Sequence, residues 1–253
     1  MMSNRKRLQL SILGGYVLLM TLLTGCGSSD DIEPPAALPW TVDETQIPSL
    51  VYPPESTPAI FEVNLVRYTY SSTITYEPDN STFVEKGDFD ITEYHNGFIP
   101  GEYTGYVVGP DISTNYYRFI GEFSITGART TTGVITIEQG SISMYIDLTP
   151  DNSSRDKDVL IGSAEHLFSG GAGATENPDA IGSFEAVYDD FKLTPEGRSY
   201  WRAPQPFYVN LDFYGDVLTS ERDEDNPNIY NTTGAGGAYF PSSLPEPTTS
   251  NQG

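Results

Sequence analysis

Histidine, cysteine and clustered carboxylates are the side chains with which this sequence could do chemistry, and they are few. There are two histidines, His95 and His166, and one cysteine, Cys26. A serine nucleophile needs a histidine base close by, yet no Gly-Xaa-Ser-Xaa-Gly elbow occurs, and no His-Glu-Xaa-Xaa-His pair for zinc. His166, within Ala164-Glu165-His166-Leu167-Phe168, reads as a structural side chain. His95 shares strand parity with Glu93, half of a metal-binding fragment, and reads more simply as a surface histidine beside a loop. Asp189 and Asp190 are adjacent, and adjacent side chains of a strand point to opposite faces, so they form no acid/base pair unless the strand ends there. Glu185 and Asp189 share a face, but along extended chain they stand roughly 13 Å apart. That exceeds the carboxyl spacing of either glycosidase class.

Oxygen-rich loops are better candidates. Asp151, Asp156 and Asp158 fall in Asp151-Asn152-Ser153-Ser154-Arg155-Asp156-Lys157-Asp158, and Asp223 and Asp225 in Asp223-Glu224-Asp225-Asn226-Pro227-Asn228. Calcium is the cofactor such segments suit, because it accepts many oxygen ligands in loose geometry. Neither segment has EF-hand spacing, and Arg155 and Lys157 dilute the first; solvated loops are the plainer reading. A second candidate is aromatic. Phe207, Val209, Leu211 and Phe213 alternate with Tyr208, Asn210, Asp212 and Tyr214. If the first set faces a core, the second forms an outer stripe. Its tyrosine rings could stack on sugars while the amide and carboxylate bond their hydroxyls.

Strands must position these groups. Tyr117, Phe119, Phe123 and Ile125 alternate with Arg118, Glu122 and Ser124; Ile142, Met144, Ile146 and Leu148 alternate with Ser141, Ser143, Tyr145 and Asp147. Period-two patterning buries one face and wets the other, which is the habit of antiparallel sheet. Residues 126–128, 138–140 and 194–197 read as short turns, 149–157 and the Gly-rich 169–175 as longer connections, and no window carries a helical stripe. In residues 61–74 the parity slips between Phe61-Val63-Leu65 and Val66-Tyr68-Tyr70-Ile74, which predicts a bulge near 65–67 or two separate strands. The fold class expected is all-β: one antiparallel meander domain over residues 59–218, nine or ten strands, as a β-barrel or β-sandwich.

The flanks differ in composition. Residues 26–58 hold seven prolines among acidic side chains and read as an extended tether, with apolar islands around Trp40 and 47–52 that could dock on the domain. Residues 219–253 are acidic and then rich in Gly, Ser, Thr and Pro, which predicts a flexible tail. At the N-terminus, Arg5, Lys6 and Arg7 precede an apolar run over 8–23, shorter than a membrane-spanning helix needs. The run ends at Leu23-Thr24-Gly25-Cys26, which resembles the lipobox of bacterial lipoproteins. The resemblance implies a signal peptide over residues 1–25, lipidation (palmitate included) at Cys26 and a membrane anchor at the new N-terminus. Gly27 after the cysteine implies the outer membrane, facing either the periplasm or the cell surface.

Removing residues 1–25, with three cations and no acids, takes the net charge from −22 to −25. Such acidity excludes nucleic acid as a partner, because every phosphate contact would be repulsive. With a single cysteine no intrachain disulfide forms. A further resemblance lies in Gly121-Glu122-Phe123-Ser124-Ile125, Thr132-Gly133-Val134-Ile135-Thr136-Ile137 and Gly182-Ser183-Phe184-Glu185-Ala186-Val187-Tyr188. This Gly/aromatic grammar, spread over about 70 residues, is similar to that of the barrels of transferrin-binding-type surface lipoproteins. It implies a barrel and no particular ligand, and Asp189-Asp190-Phe191 stands where those barrels have a glycine–proline turn. The function expected is that of a non-enzymatic cell-envelope lipoprotein binding a protein or glycan partner. The alternatives are a polysaccharide-active enzyme using carboxylates from several strands, and a structural envelope component.

Overall fold

Among the described residues, the stretches in which large apolar side chains alternate with polar ones are extended. The computed structural model describes residues 37–47, 59–79, 81–99, 104–107, 117–130, 135–148, 156–173, 181–202 and 211–241. Within these lie strands β1 (Trp40–Asp43), β2 (Ile60–Val63), β3 (Leu65–Tyr76), β4 (Thr82–Ile99), β5 (Thr104–Val107), β6 (Arg118–Arg129) and β7 (Ile135–Asp147). They continue with β8 (Val159–Ala164), β9 (Leu167–Gly173), β10 (Gly182–Tyr188), β11 (Lys192–Leu193), β12 (Trp201–Arg202), β13 (Leu211–Arg222) and β14 (Ile229–Tyr239). A short 3-10 turn, Glu44–Gln46, and one helix, α1 (Pro195–Tyr200), complete the elements.

Eight strands close into an antiparallel barrel in the order β7-β6-β4-β3-β14-β13-β10-β9. Closure is made where β9 returns to β7, pairing Ile135 with Ala172 and Thr136 with Gly171. The other half of β7 pairs with β8, which carries β11, and β5 pairs with β4. Closure leaves no long unpaired edge, the liability that open sheets must otherwise cover. A separate sheet, β12-β1-β2, carries Trp40, Val42 and Val63 into the same apolar core as the barrel residues.

Interior packing depends on rings lying against glycines of neighbouring strands. At Gly121 an added Cβ would stand 1.9 Å from the Phe89 ring, and at Gly234 it would stand 2.3 Å from the Tyr70 ring. An eight-stranded barrel is just wide enough for its own side chains, so a large ring on one strand requires its neighbour to be small. One end is filled by a plug. Trp201 stacks on Phe119 at 5.1 Å and 8°, Trp40 meets Phe240 edge-on at 5.0 Å, and Phe191 and Tyr200 are buried beside them.

Several boundaries differ from the expected ones. The tail does not begin at 219: β13 runs on to Arg222, and β14 is a full barrel strand paired with β13 and β3. Its apolar density is low because Gly234 and Gly236 leave their space to Tyr70 and Tyr68. Nor is the whole of 26–58 a tether. Trp40 is buried within β1, and Ala37 and Leu38 bond alongside Pro241 and Phe240. Residues 126–128 and 138–140 lie inside β6 and β7, and 169–173 inside β9. Thr194 starts α1 instead of a turn: its Oγ1 accepts from Gly197 N–H at 3.0 Å, and Pro195 follows it. Of the two expected causes of the parity slip, the break between two strands is found, whereas the bulged residue lies in the neighbouring strand β4. Asn64 separates β2 from β3, and Thr92 of β4 is skipped where Arg67 and Tyr68 pair with Glu93 and Ile91.

Candidate functional site

The barrel interior is not filled throughout. Tyr68, Phe89 and Phe213 meet at centroid distances of 5.6 to 5.7 Å and form a floor. Between this floor and the rung of Tyr76, Phe83 and Ile135 lies a cavity of about 140 Å³. Its walls are mostly aromatic and aliphatic; Tyr70 touches Phe123 and Phe184 edge-on, at 6.1 and 5.5 Å. A cavity of this size is large enough to admit a benzene-sized molecule.

Glu85 and Thr232 interrupt the apolar lining, and Ser72 lies between them, in a row across β14, β3 and β4. Glu85 shares parity with Phe83 and Phe89, so regular strand geometry turns it inward. Ser72 Oγ donates to Glu85 Oε1 at 2.5 Å. Burial raises the Glu85 pKa above the usual carboxylate range, and the bond from Ser72 opposes that rise. Thr232, cross-strand from Ser72, is only 2% exposed and its hydroxyl has no hydrogen-bond partner. None of the three was singled out from the sequence. The signal was there: an acid on the apolar parity of an alternating strand.

A second buried polar group lies at the plug. Glu44, in the 3-10 turn, accepts from the Tyr117 hydroxyl at 2.9 Å and from Ala59 N–H at 3.0 Å. The Tyr200 hydroxyl bonds those of Tyr117 and Tyr94 at 3.0 and 2.6 Å. Burial holds all three tyrosines far above their ordinary pKa, as un-ionised bonding groups. Such a carboxylate–tyrosine chain fixes the docking of β1 and α1 on the barrel end.

The residues singled out from the sequence are dispersed. In the proposed aromatic stripe, Tyr208 and Asn210 lie outside the described residues. Leu211 and Phe213 do face the core, but Asp212 is only 3% exposed. Tyr214 packs at 6.2 Å against Tyr239, and Leu65 and Ala37 join this outer cluster. The chain's own side chains therefore cover the stripe there. Desolvation, with Glu185 nearby, raises Asp212 to about 7 despite a hydrogen bond from Tyr239.

Of the calcium candidates, Asp151 is outside the described residues. Asp156 and Asp158 are exposed, and Asp158 accepts from Leu148 N–H at 2.7 Å. Asp223 Oδ1 accepts from Asp225 N–H at 2.9 Å and Asn226 N–H at 2.7 Å, shaping the β13–β14 loop. Among the described residues no group of three or more His, Cys, Asp or Glu is placed to hold a metal ion. His95 Nε2 lies 2.8 Å from Glu93 Oε2, and the exposed His166 pairs with Asp189. That pairing raises the His166 pKa. β10 ends at Tyr188, and Asp190, beside Asp189, accepts from the backbone N–H groups of Glu165 and His166. Cys26 lies outside the described residues.

No protein-family model, curated protein or solved structure matches this chain.

Proposed function

We propose that this protein is a lipid-anchored, non-enzymatic binding protein of the bacterial outer membrane, facing the periplasm or the cell surface, and that its barrel lumen holds a small apolar ligand. The observation that carries the lumen reading is the ring-walled cavity of about 140 Å³ in the barrel interior. Interiors are normally packed to the density of organic crystals, and concave apolar sites with a few polar groups are the usual form of small-ligand sites. The anchor rests on the cationic start, apolar run and lipobox ending at Cys26.

A glycan partner is the second reading. Its support is a groove of about 520 Å³ on the outer face of β3, β4, β13 and β14, lined by hydroxyl, amide and charged groups including Ser71, Thr73, Asp88 and Asn231.

Two experiments test the proposal. Labelled fatty acid fed to expressing cells is expected in the wild type and absent from Cys26→Ser; label in both or neither refutes the anchor. Toluene is expected to raise the melting temperature of the mature protein saturably, by mass action on the native state. An Ala172→Leu variant, whose larger side chain occupies the cavity, is expected to lose that rise. A wild type whose melting temperature neither toluene nor any other benzene-sized probe raises refutes the lumen reading.

A further inference from the structure

The lining of the lumen carries an electrostatic preference. Among the described residues around the cavity, Glu85 is the only acid and none is basic. An anionic ligand would therefore meet repulsion and find no counter-charge. A purely apolar ligand would take Glu85 further from water, and Thr232 would keep its unmet hydrogen-bonding capacity; both cost free energy. An ammonium group meets both needs. It neutralises the carboxylate, and it donates to a hydroxyl that accepts nothing else. The aromatic rings of Tyr70, Phe123 and Phe184 line the same space, and a cation over such a ring gains cation–π attraction. At longer range, the net charge of −22 raises the local concentration of cations around the protein.

We propose, on the basis of the lumen reading above, that the ligand class is a small apolar amine, with the ammonium at Glu85 and Thr232 and the hydrocarbon on the aromatic walls. Ser72 is a positioning residue: its bond to Oε1 orients the carboxylate, leaving Oε2 for the ligand.

The test is calorimetric titration of the mature protein at pH 7 and matched ionic strength with benzylamine, benzyl alcohol, toluene and benzoate. Benzylamine is expected to bind at least about tenfold tighter than toluene or benzyl alcohol, the gain of one charge-assisted contact, and benzoate weakest. Glu85→Gln is expected to lower the benzylamine-to-toluene affinity ratio about tenfold, and Thr232→Val by a smaller factor. Circular dichroism of each variant checks that it is folded. If toluene binds and benzylamine is no tighter, or if the ratio survives Glu85→Gln, the amine assignment is overturned while the lumen reading stands. If no probe binds, both fall together.

Discussion

Replacing Asp212 by Asn should stabilise the protein at pH 8 and leave it almost unchanged at pH 4. Asp212 is buried on the outer side of β13, under Tyr239 and Tyr214, and desolvation lifts its pKa from 3.8 to about 7. The folded pKa lies above the unfolded one, so the folded state holds the proton more tightly. That stabilising contribution is complete below about pH 4, declines as pH rises, and is gone once pH passes about 7. A rise of this size corresponds to about 4 kcal/mol between the two ends of the window. Asn keeps the shape, accepts the Tyr239 hydroxyl and donates to Glu185 as the protonated acid would, at any pH. The assay is urea unfolding of both proteins from pH 4 to pH 8, following the difference in stability. General self-repulsion grows with pH in both and largely cancels; Glu221→Gln, an exposed carboxylate on the same strand, measures what remains. A variant advantage growing by about 4 kcal/mol supports the buried, protonated Asp212. An advantage independent of pH, or equal to that of Glu221→Gln, refutes it.

Ile146→Asp places an unpaired charge at a fully buried position of β7; a loss of several kcal/mol is expected, read as loss of native near-ultraviolet circular dichroism. A chain cut after Leu218 lacks β14, so β3 and β13 lose their shared partner; no cooperative melting is expected, whereas a chain ending after Pro241 should melt as the full one does. In melts at matched ionic strength, sodium chloride should raise the midpoint by screening the net charge. Calcium should add nothing beyond that, because the Asp223 carboxylate already bonds its own loop. A calcium increment lost in Asp223→Asn with Asp225→Asn would instead locate a site there.

The sequence made the barrel's richest strands legible and concealed its leanest. In β6 and β7, Phe119, Ile142, Met144 and Ile146 supply their own buried face, so the alternation is visible in each strand alone. In β9 and β14 the inner face carries small residues such as Gly170, Ala172, Gly234 and Gly236, and atoms of other strands fill the space: Ile137 beside Gly170, and Tyr70 beside Gly234. Apolar counting along one segment cannot register a core contributed by its neighbours. Trp40 was obscured differently, being set among prolines whose composition reads as tether although its ring is buried against Phe240 and Trp201. The calcium candidates cluster in sequence, yet the Asp158 and Asp223 carboxylates accept from backbone N–H groups, which for Asp223 is a use that loops favour.

The two ends of the barrel hold a carboxylate differently, buried at Glu44 and half-buried at Glu85, and that contrast bears on function. At the plug, Glu44 receives donors from Tyr117 and Ala59, and the tyrosine hydroxyls bond one another, so the charge is answered from within the chain. In the lumen, Glu85 receives one hydrogen bond, from Ser72, and the adjoining Thr232 hydroxyl receives none. Buried polar groups left short of partners are uncommon in folded proteins, and each calls for a cause. Were the lumen only a core, a residue such as Leu at position 85 would fill the cavity and avoid the desolvation. A binding site has the opposite requirement, since groups already satisfied within the chain would offer a ligand nothing. Glu85→Leu separates the two cases: a core position should gain stability, while a ligand site should gain stability and lose amine binding in the same protein.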